Sequence, residues 1–338
     1  MTQTDIRTQI QAAMRAAFPA AEARVARFYA MQEYQLGWRD ERLGVASYDP
    51  GKLIRPALTL LACRAAGGDP RTALPLAAGI QLIHDFSLIH DDIEDNSDTR
   101  RSRPTVWKVW GLAQGINTGD GMYTIAHLAL HQLRDAGVPA ERTLEIIRRF
   151  DQTILRICEG QFLDLSFEGD LTIAAADYLA MISRKTAALI AAAAGLGALV
   201  GGADATSAGA MFEYGESLGL AFQIQDDVLG IWGDPEVTGK PFAADLYRRK
   251  LSLPIIHALT ADGPHGQLAQ LYGQPEVGDA DVRRILAILD RADARGYTEG
   301  VAAHYHQRAL AALDATRGDA AAINEIRAIT ERLLGRRS

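Results

Sequence analysis

Lysine is nearly absent from this chain of 338 residues. Of its 35 basic residues only Lys52, Lys108, Lys185, Lys240 and Lys250 are lysine, which leaves 35 − 5 = 30 arginines. Cysteine is scarcer still. Cys63 and Cys158 sit in apolar context without CxxC or finger spacing, which excludes a disulfide framework or structural zinc site and fits a reducing compartment. An excess of positive charge is also lacking: the formal net charge of −7 and pI near 5.6 argue against nucleic acid, whose phosphates call for Lys and Arg contacts. The longest apolar run, 187–203, is alanine- and glycine-rich and has no aromatic anchors, so it reads as a closely packed central helix and not a membrane span. Arg7, Gln11 and Arg15 interrupt the N-terminal stretch, which lacks the apolar core of a secretory signal, and a cytoplasmic protein is expected. No Pro/Ser/Gly-rich linker, charge block or fixed-period repeat divides the sequence, so 1–338 reads as one domain.

What is present is a helical pattern. With 48% hydrophobic and 23% charged residues the chain has enough apolar surface for a large core. Apolar residues recur at three- and four-residue spacing through most of it, while alternating runs are scarce, so the fold class is all-α. Breaks such as Asp49-Pro50-Gly51, Gly67-Gly68-Asp69-Pro70 and Gly233-Asp234-Pro235 separate roughly a dozen helices. Short turns between them favour a single bundle, with ligand groups projecting inward from facing helices.

The strongest local feature is the stretch 81–95, which starts apolar and ends with Asp91, Asp92, Glu94 and Asp95. Asp91 and Asp95 fall one turn apart on one helix face. Their mutual repulsion, at a helix C-terminus whose dipole prefers cations, is relieved by a bound divalent ion. Magnesium suits such a pair, because it takes one or two protein carboxylates and completes its shell with water and substrate phosphate. A second apolar helix turns acidic at Asp226 and Asp227, and two such helix ends are expected to face each other across the bundle. The surviving lysines mark places where a compact ammonium matters more than a guanidinium fork. Lys52, Lys185, Lys240 and Lys250 lie beside turns or polar motifs, and Arg100-Arg101 follows the first acidic cluster. Metal-plus-cation sites of this kind suit two diphosphates. No Ser/His/Asp or Cys/His signature is present. His127 and His131 read as a helical surface pair, and Trp107 and Trp110 as packing or dimer-contact residues.

These ordered motifs, from about Gly51 to Leu259, resemble the trans-isoprenyl diphosphate (polyprenyl) synthases, in particular geranylgeranyl diphosphate synthases. The resemblance implies an isoprenoid synthase-like bundle around a central active-site cavity, a homodimer, and up to three Mg²⁺ ions bound with substrate diphosphate. It implies condensation of isopentenyl diphosphate with an allylic diphosphate to give a longer trans-polyprenyl diphosphate. Asp91, Asp95 and Asp226 would be the metal ligands, with Asp92 and Asp227 completing the acidic motifs. Lys52, Arg55, His84 and Arg101 would surround isopentenyl diphosphate and Arg100 the allylic diphosphate. Lys185, Thr186, Gln223, Lys240 and Lys250 match the family's remaining phosphate and substrate contacts, and Gln161 and Asp164 its mid-chain motif. Bulk four and five residues before the first aspartate sets product length in the family. Phe86 with small Ser87 therefore implies a C20 product, with C15 and C25 as neighbours.

Two positions depart from the family pattern. Gly230 stands where a third aspartate is usual, so weaker metal binding at the second motif is expected, relieved by Gly230→Asp. Ser102 stands where glycine is common, with little effect expected. A class I terpene cyclase would share the first motif, but no Asn/Ser/Glu-type second metal motif is found and a cyclase has less use for an isopentenyl site. A non-catalytic subunit of a heteromeric synthase usually lacks intact acidic motifs, and here the first is complete.

Overall fold

The apolar three- and four-residue periods become helices throughout the computed structural model, which describes residues 3–235, 242–263 and 265–334. Ten α-helices precede residue 233: α1 Gln3–Ala17, α2 Ala26–Gln35, α3 Ile54–Ala65, α4 Leu74–Glu94, α5 Val106–Trp110, α6 Leu112–His131, α7 Ala140–Phe167, α8 Ala175–Ile182, α9 Ala188–Val200 and α10 Ala205–Trp232. Six follow among the described residues: α11 Ala244–Tyr247, α12 Leu253–Asp262, α13 Gln267–Tyr272, α14 Asp279–Arg291, α15 Ala294–Asp314 and α16 Ala320–Leu334. The fold is all-α. Its β structure among the described residues is slight: a hairpin pairing β1, Thr99–Arg100, antiparallel to β2, Arg103–Pro104, and an isolated bridge between Arg39 and Val45. More helices form than the dozen expected, because pieces as short as α5 and α11 carry too few residues to show a period.

The chain divides into two compact units, residues 1–151, 192–208 and 318–322 in one and 152–191, 209–317 and 323–338 in the other. In the first, α4 packs mainly on α6, α1 and α3, and its Leu76, Ile80, Leu82 and Ile83 are fully buried. The alanine-glycine run does pack closely. A Cβ at Gly197 of α9 would stand 3.0 Å from Thr59 Cα and overlap the Thr59 carbonyl oxygen, so only glycine lets the two backbones approach this far. Trp107 donates its indole N–H to the Ser97 carbonyl at 2.9 Å and Trp110 stacks edge-on against Tyr34, so both serve packing inside the unit.

In the second unit α12 packs on α15 and α13. Ile231, Leu246, Ile255, Leu268 and Ile285 form one buried cluster, and Tyr178, Met181, Ile224 and Leu253 belong to another. Two stretches, Pro70–Glu94 and Ala175–Val200, are long and apolar enough to cross a bilayer, but 67% of each apolar window is buried in protein. That is the pattern of a core helix, whose apolar faces are covered by neighbouring elements.

Candidate active site

In the first unit the end of α4 carries the acidic cluster. Asp91 lies in its last turn, half-buried, and Asp95 caps it, exposed, with its amide donating to the Asp91 carbonyl at 2.8 Å. Asp92 points inward and is 1% exposed. Its Oδ1 accepts from Nε of Arg100 at 2.8 Å and pairs with the charge of Nη2 at the same distance, while its buried Oδ2 has no hydrogen-bond partner among the described residues. Burial pushes the Asp92 carboxyl above its ordinary range, and the Arg100 guanidinium opposes that shift. Arg100 is thereby fixed by the carboxylate next to the proposed ligand Asp91.

The hairpin that follows presents Arg101 and Ser102 at its tip with φ of 50° and 59°, the left-handed pair that a two-residue hairpin turn requires. Arg101 Nη2 reaches to 3.9 Å from Asp85 Oδ1, and a Cβ on Gly51, beside Lys52, would be 3.5 Å from the same nitrogen. His84 is held neutral: burial depresses its pKa, and the guanidinium groups of Arg55, Arg101 and Arg100 press it lower still. Arg55, His84, Arg100 and Arg101 thus converge on one basic patch, and Arg100 and Arg101 also line a cavity of about 530 Å³ with Arg103, Tyr48 and Gly51. Asp85, which the sequence reading passed over, lies within this patch. It is 2% exposed, accepts from Gln81 Nε2 at 2.7 Å, and burial raises its pKa from 3.8 to about 6 against the pull of Arg101. The next residue of α4, Phe86, stands edge-on to Tyr123 of α6 at 5.4 Å and to His90 at 4.8 Å. Ser87 donates to the His84 carbonyl at 2.9 Å. His127 meets Asp151 Oδ1 through Nε2 at 2.8 Å and the Tyr123 carbonyl through Nδ1 at 3.0 Å.

In the second unit Lys185 and Thr186 lie on a π-helical turn, Ser183–Ala187, set into the continuous helix between α8 and α9. Such turns are rare single-turn bulges inside α-helices and are frequent at functional sites. A Cβ at Gly160 would stand 2.7 Å from Lys185 Cα, so glycine in the Glu-Gly-Gln-Phe-Leu-Asp motif brings α7 onto this turn, where Lys185 Nζ meets Asp164 Oδ2 at 2.5 Å. Thr186 donates to Gln223 Oε1 at 3.1 Å, and Gln223 donates to Asp227 Oδ1 at 3.3 Å. Asp227 is wholly buried and also receives the Tyr178 hydroxyl at 2.5 Å and Lys250 at 3.5 Å. It therefore organises its neighbours, while Asp226 beside it is only half-buried. The second acidic pair is not at a helix end as expected: α10 continues to Trp232, because the apolar period carries on through Val228, Leu229 and Ile231. Gly230 is not followed by a vacancy either. The carboxylate of Asp245, a residue unremarked in the sequence, fills the space where a side chain at 230 would begin. Lys240 lies outside the described residues.

Comparison with known proteins bears on what these two sets of residues serve. Residues 42–289 match the polyprenyl synthetase family. A geranylgeranyl diphosphate synthase of Mycobacterium tuberculosis is 42% identical over 290 residues, 85% of this chain and 82% of that protein. This chain belongs to the polyprenyl synthetase family. A geranylfarnesyl diphosphate synthase of Aeropyrum pernix is 40% identical over 261 residues, 77% of this chain and 81% of that one. Among solved structures, a polyprenyl synthetase from Streptomyces coelicolor superposes with a TM-score of 0.87 at 33% identity, covering 98% of both chains. A Caulobacter crescentus polyprenyl synthase complexed with calcium and isoprenyl diphosphate gives 0.80 at 30% identity, covering 99% of this chain and 96% of that one.

Prenyl diphosphate synthases are generally magnesium-dependent, and the carboxylates of this chain suit that ion. Among the described residues no three His, Cys, Asp or Glu side chains are drawn together as a closed cage. The carboxylate oxygens at this helix end belong to Asp91 and Asp95, next to a patch of guanidinium groups. That fits a hard ion that takes one or two carboxylates and shares the rest of its shell with a diphosphate. It does not fit zinc, which asks for a preformed tetrahedron of nitrogen and sulfur.

Proposed function

We propose that this chain joins isopentenyl diphosphate to an allylic diphosphate and releases a trans-polyprenyl diphosphate of about C20. The observation that carries the reading is the meeting, in one unit, of the Asp91/Asp95 helix end with the basic patch of Arg55, His84, Arg100 and Arg101. Carboxylates and guanidinium groups so close together serve an anion that arrives with its own cation. As the family resemblance implies, Asp226 is a further metal ligand, and Lys185, Thr186, Gln223, Lys240 and Lys250 are phosphate and substrate contacts.

Magnesium held by Asp91, Asp95 and Asp226 would neutralise charge on the leaving diphosphate as the allylic C–O bond breaks. Arg100, anchored by Asp92, meets the phosphate oxygens of the allylic substrate with charge-assisted hydrogen bonds that strengthen as negative charge gathers there. Lys52, Arg55 and Arg101 hold isopentenyl diphosphate, and neutral His84 can donate one hydrogen bond to it without adding charge. The bound double bond is thus presented to the allylic carbon as an intramolecular neighbour. The proton lost afterwards goes to the departing diphosphate, so no side-chain nucleophile is needed. Phe86, braced by Tyr123 and His90, closes the space for the growing chain and sets the C20 limit, with Ser87 leaving room beside it. We further propose that the chain works as a single domain in a cytoplasmic homodimer.

The test is a product assay with Mg²⁺, isopentenyl diphosphate and C5, C10 or C15 primers, read by mass. A C20 diphosphate formed only when both substrates are present is the expected result. A cyclic hydrocarbon from the primer alone, or no product from any primer, would overturn the reading.

A further inference from the structure

Sequence spacing assigns no role to Arg103, two places beyond Arg101. In the hairpin it pairs across the strands with Arg100, so the two backbones share one register. Its guanidinium lies between two rings, 3.9 Å from the centroid of Tyr34 and 3.9 Å from that of Tyr48. The edges are occupied too: Nη1 donates to the Tyr34 carbonyl at 3.0 Å and Nη2 to the Arg39 carbonyl at 2.8 Å. Tyr34, 2% exposed, donates its hydroxyl in turn to the Pro104 carbonyl at 2.7 Å. Side chain and backbone of β2 are thus both fastened to the end of α2 and the turn after it, ahead of every motif read from the sequence. Only a flat, forked cation fits such a slot. An ammonium has no plane to lie between two rings and no fixed fork to reach two carbonyls.

This cage bears differently on the two arginines beside it. Arg100 has its own anchor in Asp92, whose Oδ1 accepts from its Nε at 2.8 Å. Arg101 sits at the hairpin tip with a left-handed φ of 50°, and its pairing is longer, Nη2 standing 3.9 Å from Asp85 Oδ1. Its direction therefore follows from where the hairpin is docked. Arg100, Arg101, Arg103, Tyr34 and Tyr48 all line the cavity of about 530 Å³, so the cage is part of the wall from which Arg101 reaches out.

We propose that Arg103 is a positioning residue whose caged guanidinium docks the hairpin and so aims Arg101 at isopentenyl diphosphate, without touching the substrate itself. The proposal rests on the functional reading above. It implies an asymmetry between the substrates: loss of the cage weakens isopentenyl diphosphate, bound through Arg101, and spares the allylic diphosphate, because Arg100 keeps Asp92.

Initial rates of Arg103→Met, Arg103→Lys and Tyr48→Leu, with each substrate varied in turn, test this, and urea unfolding reports whether each variant is folded. Arg103→Met fills the slot but removes the fork. It is expected to raise the KM for isopentenyl diphosphate roughly tenfold, the scale of one charge-assisted hydrogen bond, while the primer KM and kcat hold to within about twofold. Arg103→Lys should show most of the same loss. Tyr48 is 43% exposed, so Tyr48→Leu removes one ring face at little risk to the fold. It should raise the same KM about threefold, the scale of one exposed cation–π contact. Equal rises in both KM values, or a rise for the primer alone, would overturn the proposal, since a merely structural role loosens both arginines together. Full recovery in Arg103→Lys would overturn it as well, because charge alone would then be the whole contribution. Should neither Arg103 variant fold, an unchanged isopentenyl KM in Tyr48→Leu would overturn it alone. A wild type that elongates no primer would sink the functional reading instead. Calorimetric titration of wild type and Tyr48→Leu with isopentenyl diphosphate then decides the docking claim, and equal affinities would overturn it.

Discussion

Replacing Asp85 with asparagine should stabilise the protein at neutral pH, and by an amount that grows with pH. Asp85 is a buried acid inside the basic patch, bonded to Gln81 and 3.9 Å from Arg101. Loss of water raises its pKa from 3.8 to about 6, with Arg101 and the Gln81 bond opposing the shift. The unfolded chain gives up this proton near 3.8 whereas the folded one keeps it to about 6. The folded state therefore binds more protons between those values, and stability falls as pH rises through that window. Below 3.8 the acid is protonated in both states and costs nothing; above 6 the loss is complete. At roughly 1.4 kcal/mol per pH unit, a window of about two units is worth about 3 kcal/mol. The asparagine variant has no proton to lose at this position. The stability difference between variant and wild type should therefore rise by about 3 kcal/mol from about pH 4 to about pH 7. Urea unfolding of both proteins at half-unit pH steps measures it. Asp92 and Asp227 titrate in the same direction but are common to both proteins and cancel in the difference. Parallel stability curves, with a constant offset across this range, would refute the claim that the burial of Asp85 outweighs its arginine neighbours.

Other expectations are as direct. Ser102→Gly relieves a non-glycine residue at φ 59° and should raise stability by about 1 kcal/mol, seen as a higher urea midpoint with an unchanged slope. Gly197→Ala drives a methyl group into the Thr59 carbonyl and should cost about 1–3 kcal/mol; an unchanged midpoint would mean that α3 and α9 can part freely. Cys63 is fully buried, with its thiol pushed up to about 11, whereas Cys158 is exposed. A thiol reagent should consume one cysteine in the native protein and the second only on unfolding. Phe86→Ala removes the ring braced by Tyr123 and should lengthen the product beyond that of wild type; the same product from both would exclude Phe86 as the floor.

The sequence made the helices, the first acidic motif and most of the basic groups legible, because each depends on spacing within one segment. Asp91 and Asp95 share a face by helix geometry alone, and Arg100 and Arg101 follow within ten residues. The residues it missed share a different property: their meaning depends on what another segment brings to them. Asp85 is one acid in an apolar stretch until Arg101 arrives from the hairpin. Tyr178 is an ordinary core aromatic until Asp227, 49 residues later, receives its hydroxyl. Gly230 illustrates the limit best. Along the chain it is a gap in a pattern, and the natural inference is a weaker site with water in the gap. In space the same position lies against the Asp245 carboxylate of α11, which a Cβ at 230 would overlap. A one-letter departure from a motif therefore says what the helix has lost and nothing of what a neighbouring element sets against the same position.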